Sequence, residues 1–559
     1  MINRTHLATA PARLPLSVAS LLALVATLPL GCSLALDFTE CSSNAECQAL
    51  TAEPTPLICG AQNTCIPREC EKGADCATKG TGLSCVEGVC VPSTDDSCDD
   101  HARCINDFGP TWLCSTQKRC IQAITTECSS LELPQGDPSQ LIVIGSLLPL
   151  SAFDTESALA SQRAIELAVD DFNTANVLGG KKIALLRCDA GSQDEQAERA
   201  ARHLYESLGV QLVLSPLPAE LLEASTPLGW VTGALSITST TSPSRIGLLE
   251  DNGLLWRDIP SDAFQANAIA DRIADAQRSS VLLLARNDLY GNGLLDAVSQ
   301  RLVQRGVATP TLLRYPAPDS FSDLASREAE YLSLAQGLHQ SHPSAELVVI
   351  LGGAEATELL VAIARQREPE LTGIDQPDYL LSHEAVDALP AAIKGSSDKL
   401  AVFVEVIGPE RADAQNFAAF ATRYRSLFGA EPHAVAAPGY DACMLGLLAH
   451  CASPGDLRGS ALASTLARLN DKAAQATAIS FGSAGFVQTA CDTLASSRNI
   501  DVRGVSGPLD LDPSSAELRG DYLSWVVKRQ GASYLLSATD RYRLDTAPAT
   551  DGQWEALNP

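Results

Sequence analysis

The hydrophobic positions from residue 141 onwards alternate between two periods. Leu141–Leu148 is a continuous apolar run, and from Glu156 to Phe172 apolar residues recur at the three-to-four-residue spacing of a helix. A buried strand followed by an amphipathic helix explains this change of period. The alternation then continues, and it predicts in order a strand Lys182–Arg187, a helix Gln193–Leu208, a strand Val210–Leu214, a helical stretch near Glu220 and a strand Ala234–Thr238.

A second series of the same kind begins at residue 264. Repeated strand and helix units build parallel sheets, so the body is predicted to be α/β with two sheets of similar size. The predicted elements of this series are helix Phe264–Asp275, strand Val281–Ala285, helix Gly291–Arg305, strand Thr311–Tyr315, a long helix before His339, strand Leu347–Leu351, helix Glu355–Arg365 and strand Tyr379–Ser382.

The first 32 residues have the order of an export signal. Two arginines precede a mostly apolar run that ends at Leu30, and small residues follow. The segment Leu28–Cys32 resembles a bacterial lipoprotein signal, although Pro29 stands where an aliphatic residue is usual. We therefore expect a signal peptide over residues 1–31 and a lipid on Cys32 that anchors the chain to a membrane. The alternative is an uncleaved membrane helix, which the prolines and the short apolar run disfavour.

Twelve cysteines repeat as three sets of four, each reading C-x5-C-x(8–11)-C-x(4–5)-C. Few large apolar residues lie between them, so cross-links must replace a core. A zinc site is the alternative, but these spacings and an exported context favour disulfides. Residues 32–128 are interpreted as a Cys-rich stem, a rigid spacer in preference to a docking module, with the pairing left open. The sets are Cys41, Cys47, Cys59 and Cys65; Cys70, Cys76, Cys85 and Cys90; Cys98, Cys104, Cys114 and Cys120.

Charge and motifs exclude several classes of function. The formal net charge of −27 works against binding to nucleic acid or to an anionic lipid surface. The body has no G-x-S-x-G elbow, no HExxH, no Gly-rich dinucleotide loop and no complete phosphate loop. His383-Glu384 suggests metal or acid–base chemistry, but a histidine without a second ligand at suitable spacing is more often structural. We expect neither an enzyme nor a bound metal or cofactor.

Five segments, met in order, resemble the periplasmic leucine/isoleucine/valine-binding proteins, which have the type I periplasmic binding fold. Together they cover about residues 139–530, and their order and spacing carry the resemblance. The segments are Trp256–Gln265; Leu289–Gly293; Leu351–Gly353; Phe417–Pro432 with Gly439-Tyr440-Asp441-Ala442; and Gly507–Asp512 leading to Trp525–Val527.

The resemblance implies a two-lobed body over residues 139–545. Lobe 1 would comprise about 139–260 and 408–506, and lobe 2 about 261–407 and 507–545. Three crossings, near Pro260, Ile407 and Gly507, would join the lobes. A ligand held between them favours the closed form because it binds that form more tightly.

The resemblance also implies ligand-binding residues. Thr241, in the run that includes Ser239 and Thr240, matches a hydroxyl that helps hold a ligand carboxylate. Glu384 matches an acid that receives an α-amino group, Tyr290 a ligand-facing tyrosine, and Asp262 an acid at a lobe crossing. Such a set suits a zwitterion. The alternatives are that Thr241 caps a turn, Tyr290 is a core ring and Glu384 is a solvated acid at a helix start.

Two groups expected from the family are missing. Ala219 stands in place of a carboxylate-binding serine, with Ser215 as a substitute hydroxyl, and Ala354 replaces an aromatic residue after Gly352-Gly353. The pocket is therefore expected to be wider or to hold a different ligand.

Five further cysteines leave one unpaired. Neighbouring parallel strands would bring Cys128 and Cys188 together and tie the stem to the body. Cys451 and Cys491 would clamp helices of the body. Cys443, on the apolar helix Tyr440–Leu448, would then be a small core residue.

The resulting functional hypothesis is a solute-binding lipoprotein of the cell envelope, on the periplasmic side or cell surface. It would capture an amino acid or a related amide for an ABC-type permease. The alternative is a non-transport envelope sensor or interaction lipoprotein that regulates a partner through the same closure. Dependence on a permease would separate the two.

Overall fold

The computed structural model describes residues 41–48, 57–59, 63–79, 83–92, 96–152, 155–307, 310–368, 376–412, 414–473, 475–544 and 552–557. The expected signal peptide and Cys32 lie outside these residues. The chain divides into two compact units, Met1–Glu69 and Cys70–Pro559. The first contains the first stem module, and the second contains the other two modules and the body.

Each stem module is a helical turn followed by an antiparallel hairpin. The elements are α1 (Asn44–Gln48), β1 (Leu57–Cys59) and β2 (Cys65–Pro67) in the first unit, and a 3₁₀ turn (Gly73–Thr78), β3 (Leu83–Val86), β4 (Val89–Pro92), α2 (His101–Phe108), β5 (Trp112–Cys114) and β6 (Cys120–Gln122) in the second.

In every module the first cysteine is bonded to the third and the second to the fourth. Cys85 and Cys90 face each other across their hairpin, as do the equivalent cysteines of the other modules, so both bridges tie the hairpin to the helical turn. The disulfide interpretation is therefore confirmed for these cysteines. The pairs are Cys41–Cys59, Cys47–Cys65, Cys70–Cys85, Cys76–Cys90, Cys98–Cys114 and Cys104–Cys120.

The third module packs directly on the body. Leu113 and Ala123 are buried in one hydrophobic cluster with Tyr205 and other body residues. His203 Nε2 lies 2.9 Å from the Ala123 carbonyl oxygen. At Gly209, where φ is 74°, a Cβ would lie 2.2 Å from Thr116 Oγ1, so only glycine permits this approach.

Lobe 1 contains the following elements before the first crossing and between the second and third: β7 (Ser130–Glu132), β8 (Leu141–Leu148), α3 (Thr155–Ala175), β9 (Lys182–Asp189), α4 (Asp194–Arg202) with a π-helical turn (His203–Leu208), β10 (Leu212–Leu214), α5 (Ala219–Ser225), α6 (Pro227–Thr232), β11 (Leu235–Thr238), β12 (Leu255–Pro260), α12 (Ala414–Phe428), α13 (Ala436–Ala452), α14 (Gly459–Thr465), β18 (Thr477–Ser480), α15 (Phe486–Ala495), β19 (Ile500–Arg503), β20 (Asp510–Asp512) and β21 (Glu517–Arg519).

The main sheet of lobe 1 has the order β20-β21-β12-β11-β10-β8-β9-β7. Strands β21 to β9 are parallel, and the two edge strands are antiparallel. Helices α3 and α13 belong to the cluster on one face, and α4 and α5 to the cluster on the other. Helix α13 is apolar all round and almost wholly buried, as expected for a helix at the centre of a lobe.

Lobe 2 contains α7 (Asp262–Ala276), β13 (Val281–Arg286), α8 (Leu289–Gln304), β14 (Thr311–Tyr315), α9 (Leu324–Ser341), β15 (Leu347–Leu351), α10 (Ala356–Arg367), β16 (Asp378–Leu381), α11 (Leu389–Gly395), β17 (Val404–Pro409), β22 (Tyr522–Gln530), β23 (Ser533–Arg543) and β24 (Gln553–Ala556). Its sheet has the order β14-β13-β15-β16-β17-β22-β23-β24. The first five strands are parallel and the last three antiparallel. No helix within the described ranges is both long and apolar enough to cross a membrane.

The third crossing lies later in the chain than the sequence analysis placed it. The sequence analysis moved the chain into lobe 2 near Gly507, but β20 and β21 form a hairpin whose second strand pairs with β12 in lobe 1. The chain enters lobe 2 at Gly520-Asp521, where Glu410 N donates a hydrogen bond to Asp521 O at 2.8 Å. Residues 507–519 therefore belong to lobe 1.

A buried arginine explains why the hairpin stays in lobe 1. Arg257 on β12 is 1% exposed and forms an ion pair with Glu517 on β21. Its Nη1 also donates to the carbonyl oxygens of Thr241, Ser242 and Pro243, at 3.4, 3.2 and 2.9 Å. One side chain thus joins two strands and the loop that follows β11.

Two disulfides lie in the body. Cys128 is bonded to Cys188 at the end of β9, and Cys451 on α13 to Cys491 on α15. Cys443 is free and buried, where burial raises the pKa of its thiol. These are the pairs and the free thiol named in the sequence analysis.

Candidate functional site

The carboxyl ends of the parallel strands of both lobes meet at the junction between them. Leu289, at the start of α8 in lobe 2, packs on the lobe 1 cluster that contains Leu217. Asp262 N, at the start of α7, donates a hydrogen bond to Ser242 O at 2.8 Å. Residues of the two lobes therefore touch at this junction. In open α/β sheets this edge is the usual ligand site.

The lobe 1 wall consists of short polar loops after β10 and β11. The Thr241 hydroxyl donates to Leu217 O at 2.5 Å and lies 2.9 Å from Thr238 Oγ1, so its one proton is used inside lobe 1. Thr240 Oγ1 lies 3.4 Å from the same carbonyl oxygen. Ser239 is buried, and its hydroxyl has no hydrogen-bond partner.

The hydroxyl of Ser215 on this wall is also buried without a partner, whereas the buried Ser242 hydroxyl faces the carboxyl group of Asp262. Buried polar groups are almost always hydrogen-bonded, and leaving one unpaired costs about 1–3 kcal/mol. Ala219 is the first residue of α5 and is buried, so it offers no hydroxyl. Ser215 is thus the unpaired hydroxyl nearest to it in sequence.

The lobe 2 wall is centred on Tyr290. Its hydroxyl lies 3.3 Å from Gln265 Oε1 and 3.3 Å from His383 Nδ1. Gln265 Nε2 is 2.8 Å from the same histidine nitrogen. Burial lowers the pKa of His383 to about 4, so the ring is neutral at physiological pH. The neutral ring contacts both Gln265 and Tyr290 through the same nitrogen.

Glu384 is joined to Tyr290 through an arginine. Arg286 Nη2 lies 3.3 Å from Glu384 Oε2, Nη1 lies 3.4 Å from Glu355 Oε1, and Nε contacts Asp288. The guanidinium carbon lies 5.2 Å from the centre of the Tyr290 ring, within cation–π distance. Glu384 keeps 31% of its side chain exposed, whereas Glu355 keeps 5%.

The space for this arginine is provided by a glycine. A Cβ on Gly353 would lie 2.6 Å from Arg286 Nη1 and 2.7 Å from Glu355 Oε2. Gly353 N donates to Glu355 Oε1 at 2.9 Å, and so does the Tyr315 hydroxyl. Ala354, which replaces the expected aromatic, is exposed.

Asp262 is 1% exposed, and neither carboxylate oxygen has a hydrogen bond of ordinary geometry. Burial raises its pKa from 3.8 to about 8, with a smaller contribution from Glu384; Ser242, Arg257 and Arg286 act in the opposite direction. The carboxyl group is therefore protonated at neutral pH.

We expect Asp262 to make the unliganded protein less stable as the pH rises from 5 to 7. Over this interval the folded state keeps a proton that the unfolded chain has released, because the folded pKa is about 8. The contribution of this group to the free energy of unfolding then falls by up to about 1.4 kcal/mol per pH unit. The change Asp262→Asn should flatten this slope, measured by urea denaturation at pH 5, 6 and 7.

The exposed Asp296 on α8 supplies the matched control variant, Asp296→Asn, which should leave the slope unchanged. A slope in Asp262→Asn equal to that of the unsubstituted chain would contradict a protonated, buried Asp262.

The structure brings the predicted residues to one junction but adds residues that the sequence analysis missed. These are Arg286, Glu355 and Gln265. Arg286 ends β13 and Glu355 follows β15 by four residues. Polar residues after the ends of parallel strands share one edge of a sheet, and this signal, applied to every strand, points to both. Gln265 lies inside α7, where no such signal exists.

Two surface cavities lie outside this junction. One, of about 370 Å³, is bounded by α3, α12 and the start of α15 in lobe 1. The other, of about 300 Å³, lies between residues 398–402 and the β22–β23 hairpin in lobe 2. Among the described residues, the groups close enough to hold a metal are stem cysteines, and those are bonded in disulfides.

Solved structures with this fold come from several bacteria. A solute-binding protein of an ABC transporter from Rhodopseudomonas palustris, in complex with 3,4-dihydroxybenzoic acid, is 16% identical, with a TM-score of 0.56 over 73% of this chain and 99% of that one. A possible leucine/isoleucine/valine-binding protein from Rhodopirellula baltica is 17% identical, with a TM-score of 0.53 over 71% and 96%. A branched-chain amino acid transporter substrate-binding protein from Streptococcus pneumoniae, in complex with isoleucine, is 16% identical, with a TM-score of 0.51 over 71% and 99%.

At these identities the structures establish the fold alone. No curated protein sequence is significantly similar to this chain. The family model for periplasmic binding proteins matches residues 141–492, which is more than half of the sequence. The chain therefore belongs to the periplasmic binding protein family.

Proposed function

We propose that the protein is an envelope-anchored solute-binding protein that captures a small polar solute between its lobes for ABC-type uptake. The observation that carries this proposal is the set of buried polar groups without partners at the lobe junction. Ser215 and Ser239 supply unpaired hydroxyls. Asp262, beside the Ser242 hydroxyl, supplies a buried carboxyl group with acceptor capacity left. A solute that bonds to these groups removes the cost of leaving them unpaired.

The family and the three crossings support the same conclusion. Periplasmic binding proteins bind solutes and are not enzymes, and the solved structures with this fold include proteins of ABC transporters. Chain segments of a few residues connect the lobes, which suits hinge closure around a ligand. The anchor rests on the signal-like order of residues 1–32 and on Cys32. A solute-binding protein for uptake delivers its solute to a permease, whereas a non-transport sensor with the same fold does not.

A thermal-shift screen of the full chain tests solute binding. Because a ligand that binds only the folded state stabilises it by about 2.7 kcal/mol at one hundred times its Kd, the correct solute should raise the Tm by several degrees. The screen should include amino acids, amines, amides, small carboxylic acids and sugars. Small-angle scattering should then show whether the solute changes the opening of the lobes. If no class shifts the Tm, the proposal is wrong.

A further inference from the structure

The lobe 2 wall carries more negative than positive charge. Three carboxylates, those of Asp288, Glu355 and Glu384, surround the single guanidinium of Arg286. Each of the three guanidinium nitrogens is already bonded to one of these acids. An anion that approached Arg286 would therefore compete with three carboxylates, whereas a cation would meet an excess of negative charge.

The most accessible of the three acids is Glu384. Its Oε2 faces Arg286, and 31% of its side chain remains exposed at the junction. Arg286 lies 3.3 Å away and thus satisfies Glu384 only in part, while the buried Glu355 is also bonded by Gly353 N and the Tyr315 hydroxyl. Glu384 is therefore the carboxylate with acceptor capacity left for a ligand.

The arginine of the lobe 1 wall is not free to pair with a ligand carboxylate. Arg257, the arginine that contacts the described 241–243 loop, is 1% exposed and bonded to Glu517 and three carbonyl oxygens. The Thr241 proton is donated to Leu217 O. The site of the expected carboxylate-binding serine holds Ala219, a buried residue with no hydroxyl.

What remains in lobe 1 and at the first crossing is uncharged and includes serine hydroxyls and the protonated carboxyl group of Asp262, which have acceptor oxygens for a ligand N–H as well as a proton of their own. The Ser239 hydroxyl has no hydrogen-bond partner, and the Ser242 hydroxyl faces the carboxyl group of Asp262. Asp262 lies close enough to Glu384 for the charge of Glu384 to raise the pKa of Asp262. A primary ammonium has three N–H donors and no acceptor, which matches two carboxyl groups and a hydroxyl.

We propose that the cleft selects a small organic cation without a carboxylate, such as a primary amine, over the corresponding zwitterionic amino acid. The inference rests on the proposed solute-binding function and names the chemical class of its ligand. An ammonium buried between Glu384 and Asp262 forms a charge-assisted hydrogen bond with Glu384 and donates a second one to the neutral carboxyl group of Asp262. A carboxylate in the same cleft would be desolvated beside excess negative charge with no free cation, at a cost of several kcal/mol.

Isothermal titration of the full chain with matched probes tests this proposal. Four pairs differ only in the carboxylate: isopentylamine and leucine, tyramine and tyrosine, agmatine and arginine, putrescine and ornithine. Wherever one member of a pair binds, we expect the amine to bind at least about tenfold more tightly than the matched amino acid. The anion 4-methylpentanoate, which keeps the carboxylate and side chain of leucine without its amine, should not bind.

Either of two results would overturn the proposal: an amino acid or 4-methylpentanoate that binds more tightly than the matched amine, or no binding by any of the amines at about 10 mM. If another class of solute raises the Tm while every amine fails, the solute-binding function stands and the inferred charge is wrong. If no class binds, both are wrong.

A substitution that removes the charge of Glu384 but keeps its shape tests where the bound cation lies. Glu384→Gln keeps the shape of the side chain and removes its charge, so amine binding should weaken by about tenfold with no loss of folded structure. The control is Asp398→Asn, which removes an acid of lobe 2 that pairs with Arg529 away from the junction. Equal affinities in the two variants would contradict the role of Glu384.

Discussion

Replacing both Cys128 and Cys188 by alanine should lower the free energy of unfolding by about 4 kcal/mol. The bridge joins residues separated by 60 positions, and the restriction of so long a loop in the unfolded chain is large in the chain-entropy account of disulfides. Both residues are fully buried in the cluster shared by the third stem module and lobe 1, so their loss also weakens packing there. Urea denaturation without reductant measures the change.

Cys443→Ala is the matched control for this bridge. Cys443 is equally buried but unpaired, so its replacement removes a core sulfur without opening a loop. We expect it to cost about 1 kcal/mol. A double variant that loses no more stability than this control would show that the bridge does not hold the stem to lobe 1.

The change Arg257→Met should lower the free energy of unfolding by about 3–5 kcal/mol, because removing one partner of a buried ion pair leaves the other unpaired. Glu517 would remain 13% exposed without a cation. The three carbonyl oxygens of residues 241–243 would also lose their donor. Equilibrium denaturation measures the loss, and hydrogen exchange should show faster exchange in β20 and β21.

Arg519→Met provides the comparison, because Arg519 lies on β21, the strand that also carries Glu517. Arg519 pairs with Asp512 at 2.8 Å, but its side chain is 52% exposed, and exposed pairs contribute about 0–1 kcal/mol. If the two variants lose the same stability, the assignment of the hairpin to lobe 1 through Arg257 is wrong. The double change Arg257→Met with Glu517→Leu should recover much of the loss, since no charge is then left buried.

The strong hydrophobic periods of the body made most of its elements predictable. Leu141–Leu148 and the helix after it were identified because a long buried strand and an amphipathic helix differ clearly in period. Strands β20 and β21 have three residues each, too few for a period to be read. Their lobe depends on an ion pair between residues 257 and 517, which no local pattern reveals.

The disulfide pairing of the stem could not be predicted from the sequence for a related reason. Four cysteines allow three pairings, and the choice follows from hairpin register. Because Cys114 and Cys120 face each other across β5 and β6, each reaches back to a different cysteine of the helical turn. Register depends on the turn between the strands, which the spacing of cysteines does not describe.

At the candidate site, the family resemblance named residues that lie near one another in the structure but did not predict their electrostatics. Tyr290 and Glu384 lie on either side of a cation, Arg286, that the chain itself supplies. The role of that arginine arises only when the ends of β13, β15 and β16 come together in three dimensions. The proton of Thr241 is likewise committed by Leu217, which precedes it by 24 residues.

The third stem module is attached to lobe 1, so lobe closure would change the distance between this module and lobe 2. Hydrophobic packing, the bridge Cys128–Cys188 and the pairing of β7 with β9 join the module to lobe 1. Rotation about the three crossings would then move lobe 2 relative to both lobe 1 and the third module. A membrane partner that contacts both the third module and lobe 2 would experience the capture of a solute as a change in the distance between its two points of contact.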